Sequence, residues 1–400
     1  MLSGVATSLA HAQATSPSPV LNNQINLGEI FSEQALNVQT VTDGVTATTT
    51  AQANGVSIGV TNADASATSN QTNQGSVYAH GVVGVGSNGG ATTAVSTTAV
   101  GNSSALGASN GTISAFGVQV NNADVTARGQ IEAADAEAKD VTVSTLAMGN
   151  TQGVTLDNSA AGLRISQSNT ANTLADGGAN VGGVTGAISV SSTTAGNNIN
   201  VSGVNQSAAR LITDQANTGD VTQASKFTAY GASYLSATTA TATGNNLSIA
   251  NEGPLTDLTS NQWNTSYVRG QAEGTSYQFG GSQTNAYAVG NASQVVNLGP
   301  ELVLNNTQTN DGGGVEAVAT FGGQDGYDAA TTATAMGNTV SGTVCSRCNG
   351  RMTVNNTQVN NADIGASATT TSYSTGRQVT GVSTAIGNNA GFYVSSPSGN

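Results

Sequence analysis

The chain has 400 residues, of which 8% are charged and 4% aromatic, and it carries a net charge of −13. So few large side chains exclude a thick globular core, and two lysines with seven scattered arginines exclude the clustered basic footprint that a nucleic acid requires. Little charge and five prolines, three of them near the termini, also argue against an ordinary disordered chain.

The opening residues, MLSGVATSLAHAQATSPSP, read as the end of a secretory leader, a mildly apolar stretch followed by Ala10-His11-Ala12 as a small-x-small cleavage site. Residues 1–20 are therefore expected to be signal remnant and linker, and residues 21–400 one elongated domain. Nothing downstream approaches the ~18 apolar residues of a membrane helix. Any attachment to a membrane is then expected to run through a partner.

Residues 48–60, TTTAQANGVSIGV, look like a degenerate first copy of a repeat. Its full form follows as TAVGN, LAMGN, TTAGN, TATGN, YAVGN, TAMGN and TAIGN. The glycines are Gly101, Gly149, Gly196, Gly244, Gly290, Gly337 and Gly387, at steps of 48, 47, 48, 46, 47 and 50 residues. Periods of this size mean stacked units that bury their surfaces only against their neighbours.

Within each copy, β-branched and small residues alternate before the glycine, as in Thr97-Thr98-Ala99-Val100, and period-two alternation is a strand signal. Gly-Asn reads as turn chemistry, because both residues tolerate positive φ. A second strand is expected beyond it, where Leu106, Val154, Val201, Ile249, Val295 and Phe392 recur and only Gly342 breaks the series. The string QVNNAD at residues 119–124 returns at 358–363, a separation of 239 residues, so the phase holds across most of the chain. Like residues then lie above like, and Asn, Gln and Thr can form amyloid-like ladders along the axis. The expected fold is an all-β solenoid of about seven to eight repeats of 47–48 residues, with a stacked β-hairpin array as the alternative.

Chemistry is sparse along the same stretch. QIEAADAEAKDV, residues 130–141, is the one helix-friendly segment and is read as a loop or charged strand edge. Beyond the leader the one histidine is His80, which leaves no material for a serine or cysteine triad. The carboxylates are scattered without evident register, so no catalytic residue, metal site or cofactor is assigned. Gly322–Asp328 has the flavour of a calcium nonapeptide but occurs once, and Thr332 with Thr334 suggests an ice-binding row without short regular repetition. Cys345 and Cys348 fit a local disulfide, since a zinc site needs two further ligands. Trp263, Tyr267 and Tyr277, in the stretch from 226 to 330 where aromatics are densest, are candidates for stacking on sugar rings.

With its exported N-terminus, copies such as STAIGN at residues 383–388 and its Asn, Gln and Thr columns, the chain resembles the holdfast attachment protein D family of stalked alphaproteobacteria. The resemblance implies a non-enzymatic cell-surface protein at the outer membrane that anchors an adhesive polysaccharide. Its implied partners are a curli-like subunit, a secretion pore and further copies of itself. Two other readings stay open at this point: the passenger of another secreted adhesin, and a polysaccharide-degrading β-helix enzyme.

Overall fold

The computed structural model describes residues 17–87, 91–345 and 349–394. All regular structure in them is β-strand, and every strand pairing is parallel. Parallel neighbours about 47 residues apart require the chain to travel a full circuit before it pairs, which makes a solenoid and rules out antiparallel hairpins.

Three strands build the first circuits. In the first coil they are β1 (Ser18–Asn26), β2 (Ile30–Val38) and β3 (Gly44–Thr61). β4 (Ala65–Asn73), β5 (Val77–Val85) and β6 (Thr92–Ser109) follow, then β7 (Thr112–Asn121), β8 (Val125–Ala138) and β9 (Val141–Asp157). From the fourth coil on, the second and third strands run together, so each coil is one short and one long strand. These are β10 (Ala160–Asn169) with β11 (Thr173–Val204), β12 (Ala208–Asn217) with β13 (Val221–Asn251), and β14 (Leu255–Asn264) with β15 (Val268–Asn297). The last are β16 (Glu301–Asn310) with β17 (Val315–Val344), and β18 (Arg351–Asn360) with β19 (Ile364–Val394). The first strands of all coils stack into an 8-stranded sheet, so there are eight coils among the described residues, and the others form an 11-stranded sheet. β1 starts at Ser18, slightly inside the segment read as linker.

Four straight limbs make up a coil, and the strand that carries Gly-Asn supplies two of them. In β6, Val95, Thr97 and Ala99 face inward and Ser96 and Thr98 outward, the alternation expected of a half-buried strand. The limbs pack in pairs. The first packs on the fourth through Ile113, Leu163, Leu211, Leu258 and Leu302 against Leu106, Leu156, Ile199, Leu247 and Val295. The second packs on the third through smaller residues, such as Val125, Ala127 and Ala175 against Ala51, Ala99 and Ala147. A thin apolar seam therefore runs along each half of the coil, and small side chains in the second seam let its two layers approach closely. Gly342 leaves a gap in the first series, and Phe392, its register partner one coil on, lies over it with Cδ1 3.0 Å from where a Cβ would sit.

The Gly-Asn pairs are not turns. Each of the seven glycines lies inside a continuous strand, and the described glycines with positive φ are Gly312 and Gly314. The reason for glycine is proximity: a Cβ on Gly101 would lie 2.5 Å from the Gly149 carbonyl oxygen and 2.6 Å from Asn121 Oδ1. The tight reversal instead follows the fourth limb, where Asn62, Asn110, Asn158 and Asn205 adopt φ of 53°, 52°, 47° and 60°. Asparagine tolerates this region because its short amide bonds locally. Pro254 and Pro300 occupy the same reversal in later coils, where no ladder N–H is needed. The helix-friendly segment 130–141 is strand and edge, because Ile131, Ala133, Ala136 and Ala138 are buried against neighbouring coils.

Candidate functional site

Between the two apolar seams lie three unbroken columns of side-chain amides. The first comes from the last residue of each first limb: Asn26, Asn73, Asn121, Asn169, Asn217, Asn264, Asn310 and Asn360. Each donates from Nδ2 to Oδ1 of the next, at 2.8–2.9 Å throughout. The second column is the asparagine of the repeat string, Asn54, Asn102, Asn150, Asn197, Asn245, Asn291, Asn338 and Asn388, bonded at 2.7–2.8 Å. Ala53 stands where later copies have glycine, so the degenerate first copy is a genuine rung. The third column, two residues before the first, is Gln24, Gln71, Gln119, Gln167, Gln215, Gln262, Gln308 and Gln358, at 2.7–2.9 Å.

The amides also tie the two layers together. Asn102 Nδ2 donates its second hydrogen to the Val120 carbonyl and Gln119 Nε2 to the Thr151 carbonyl, and most other rungs repeat these bonds. A bond to a carbonyl oxygen fixes which end of the amide is nitrogen, so each column has a definite polarity. Both asparagine columns donate toward the C-terminal coil, whereas the glutamine column donates toward the N-terminal coil. At the first described coil, the ladders therefore present acceptors on Asn26 and Asn54 and a donor on Gln24. The last described coil presents the converse, donors on Asn360 and Asn388 and an acceptor on Gln358.

Charges on the outer surface follow the same one-coil rule. Arg128 meets Asp176 at 3.8 Å, Lys226 meets Glu273 at 3.7 Å, Arg269 meets Glu316 at 3.0 Å and Arg377 meets Asp328 at 3.0 Å. His80 Nδ1 lies 3.3 Å from Glu33, and Tyr78 stacks on Phe31 with centroids 5.6 Å apart. Carboxylates without evident register in the string are thus in register with a charge one period away. Comparing each charge with the position one period away would have found the pairs.

The three candidate sugar-stacking residues do not converge. Trp263 projects from the outer face of the first limb, Tyr277 lies at the far edge between the second and third limbs, and Tyr267 sits at the corner entering the second limb. Tyr267 donates its hydroxyl to Glu316, and burial first, then Glu316, pushes its pKa up to about 12. Burial likewise raises Tyr287. Thr334 stacks beside Thr384, but Tyr287 is its partner on the other side and Thr332 stands between Asn285 and Val382, so no threonine row runs along the rod. Asp325 and Asp328 of the nonapeptide-like stretch lie in β17, and among the described residues no group of three or more His, Cys, Asp and Glu could hold a metal ion. Cys345 follows the end of β17, while Cys348 and the Ala10–Ala12 leader signal lie outside the described residues.

A family model described as Holdfast attachment protein D matches residues 39–314. Holdfast attachment protein D of Caulobacter vibrioides is 74% identical over 69 residues, 17% of this chain and 23% of that protein. The chain thus aligns with about a quarter of the length of that curated relative. No solved structure matches.

Proposed function

The chain belongs to the holdfast attachment protein D family, and on that premise we propose that it is a non-enzymatic, exported rod that anchors an adhesive polysaccharide at the outer membrane. The observation that carries this reading is the continuity of the three amide ladders over all eight coils. Each interior rung bonds both neighbours, and the second asparagine column and the glutamine column also bond the opposite layer, so bending or pulling loads many cooperative bonds at once. A stiff, uncharged spine with an acidic surface suits a load-bearing tether.

Self-association is part of the proposal. The donor and acceptor set of the last described coil complements that of the first, so a second copy stacked head to tail extends all three ladders in register. Such a contact is heterologous and does not close on itself, and it therefore builds filaments. A curli-like subunit and a secretion pore remain the expected partners at the cell surface.

The test is deletion of the gene together with surface labelling of the protein in intact cells. The expected outcome is exposure of the protein on the cell surface and, in the deletion strain, shedding of intact adhesive material into the medium. Adhesive that stays on deletion cells overturns the anchor reading.

A further inference from the structure

The sheet of first limbs differs from the rest of the rod in charge. Its eight strands contain Arg164, Arg210, Asp214, Asp257, Glu301 and Arg351 as their charged residues, three of each sign, so the net charge of −13 resides elsewhere on the chain. Its strands β1, β4 and β7 carry none. The outer face of the same sheet holds Leu21, Ile25, Phe116, Ile212, Trp263 and Val359, all exposed. Large apolar side chains gathered on one charge-balanced face mark a contact surface.

Register sets two arginines around a gap in this face. Gly162 pairs with Arg210 on one side and with Ser114 on the other. Arg164, two residues beyond Gly162, lies between Phe116 and Ile212. Beyond its chain neighbours, nothing comes within 4 Å of where a Gly162 Cβ would sit, so the floor between the two arginines is open. The trough that these residues line has a volume of about 590 Å³. Arg128, Arg210, Arg269, Arg351 and Arg377 each meet a carboxylate one coil away, Arg210 at 3.9 Å, whereas Arg164 alone among the described arginines has no such partner.

We propose that this face seats the rod directly on a lipid surface, with a lipid phosphate held over Gly162 between Arg164 and Arg210. The inference deepens the outer-membrane part of the reading above and rests on it for where lipid is met. Neighbouring strands lie ~4.8 Å apart and residues two along a strand ~6.6 Å apart, so the two arginine Cα atoms are ~8 Å apart and both side chains reach one phosphate. Guanidinium groups match phosphate oxygens bidentately, and the Ser114 hydroxyl beside Gly162 supplies a further donor. Around the phosphate, Phe116 and Ile212 enter the boundary between headgroups and acyl chains, with the arginine stems along them. Trp263 projects from the same face and suits headgroup depth, where an apolar ring with one N–H is favoured. The carboxylates of the second and third limbs lie off this face, and salt screens charges beyond ~10 Å at 0.1 M. A membrane contact made this way needs no intermediary, whereas the sequence by itself points to a partner.

The test is flotation of the full chain with vesicles of phosphatidylcholine alone and with vesicles that also contain phosphatidylglycerol, beside a titration with inorganic phosphate. Wild type is expected to float with the phosphatidylglycerol vesicles, and the emission of Trp263, the one tryptophan of the chain, to shift to shorter wavelength. Arg164→Gln with Arg210→Gln should weaken vesicle binding about tenfold or more. Gly162→Glu, which supplies the two arginines with a carboxylate of their own, should weaken it similarly, and Arg128→Gln on the second limb should leave it unchanged. Circular dichroism checks that each variant keeps the rod. No flotation by wild type, equal flotation with phosphatidylcholine alone, an unshifted Trp263 emission, undiminished binding by either intact first-limb variant, or an equal loss in Arg128→Gln overturns the inference. Binding of inorganic phosphate without flotation overturns it too, because the site then serves a free anion. The vesicles judge this face alone, whereas adhesive retained after deletion of the gene removes the anchor reading and leaves the vesicle result standing.

Discussion

Asn197 shows what a single rung does. It accepts from Asn150, donates to Asn245, and donates its second hydrogen to the Ala216 carbonyl, all while fully buried. Replacing it with leucine strands two neighbouring amides in a dry interior, and Asn197→Leu is expected to cost about 2–4 kcal/mol in urea denaturation. The terminal rung Asn388, bonded on one side, should cost much less. The adjoining glycines make a sharper comparison. A Cβ on Gly196 would lie 2.2 Å from Asn217 Oδ1, whereas one on Gly387 meets nothing nearer than Asn360 Nδ2 at 3.7 Å. Gly196→Ala is expected to destabilise by about 1–3 kcal/mol and Gly387→Ala to be near neutral, judged by the same denaturation midpoints. A pH effect also belongs at this scale. The folded chain holds Tyr267 near 12 against an ordinary 10.0, so the protonated form is favoured by folding. Its contribution is fully present below pH 10 and is lost as pH rises toward 12, so Tyr267→Phe should flatten the alkaline limb of a stability profile in that window.

At the scale of the element, a limb has no stability of its own, because its hydrogen bonds and most of its apolar cover come from the coils on either side. Register along the axis therefore matters more than length along the strand. Removing Thr218–Asn264 joins Asn217 to Thr265 and deletes one coil in phase. That variant is expected to keep a strand-rich circular dichroism spectrum and a cooperative melt. Removing residues 218–241 takes the second limb and most of the third out of one coil, which leaves the strands of the adjacent coils without their parallel partners there, and should lose the melt. The edge between the second and third limbs obeys a looser rule. Its residues differ from coil to coil, since no amide column passes there, and the register shifts of the 11-stranded sheet fall there.

Over the whole molecule, the opposed polarities of the asparagine and glutamine columns give the rod two unlike ends. Association through them depends on the amide donors of Asn360 and Asn388. Replacing both with aspartate sets carboxylates against the acceptors of an incoming Asn26 and Asn54. In sedimentation velocity, wild type is expected to form long species that grow with concentration, and N360D/N388D to stay near the single-chain value. The inter-coil ion pairs are exposed and screened, so raising salt should change these sedimentation profiles little.

The sequence alone determined that this chain is a stacked β rod, because a period of 46–50 residues with alternation inside it has few other physical outcomes. It also marked which residues form columns, since identical amides one period apart must meet when coils pair in parallel. The role of Gly-Asn was not legible there. A glycine kept for positive φ and a glycine kept because an opposing amide leaves no room for a Cβ look the same in a string, and only the approach of the end of the first limb to the strand that carries Gly-Asn showed the second reason. Tertiary structure likewise brought together the charge pairs and set the ladder polarities. Each depends on which residues of different coils become neighbours and which way their side chains face, and that is decided by register across the sheet.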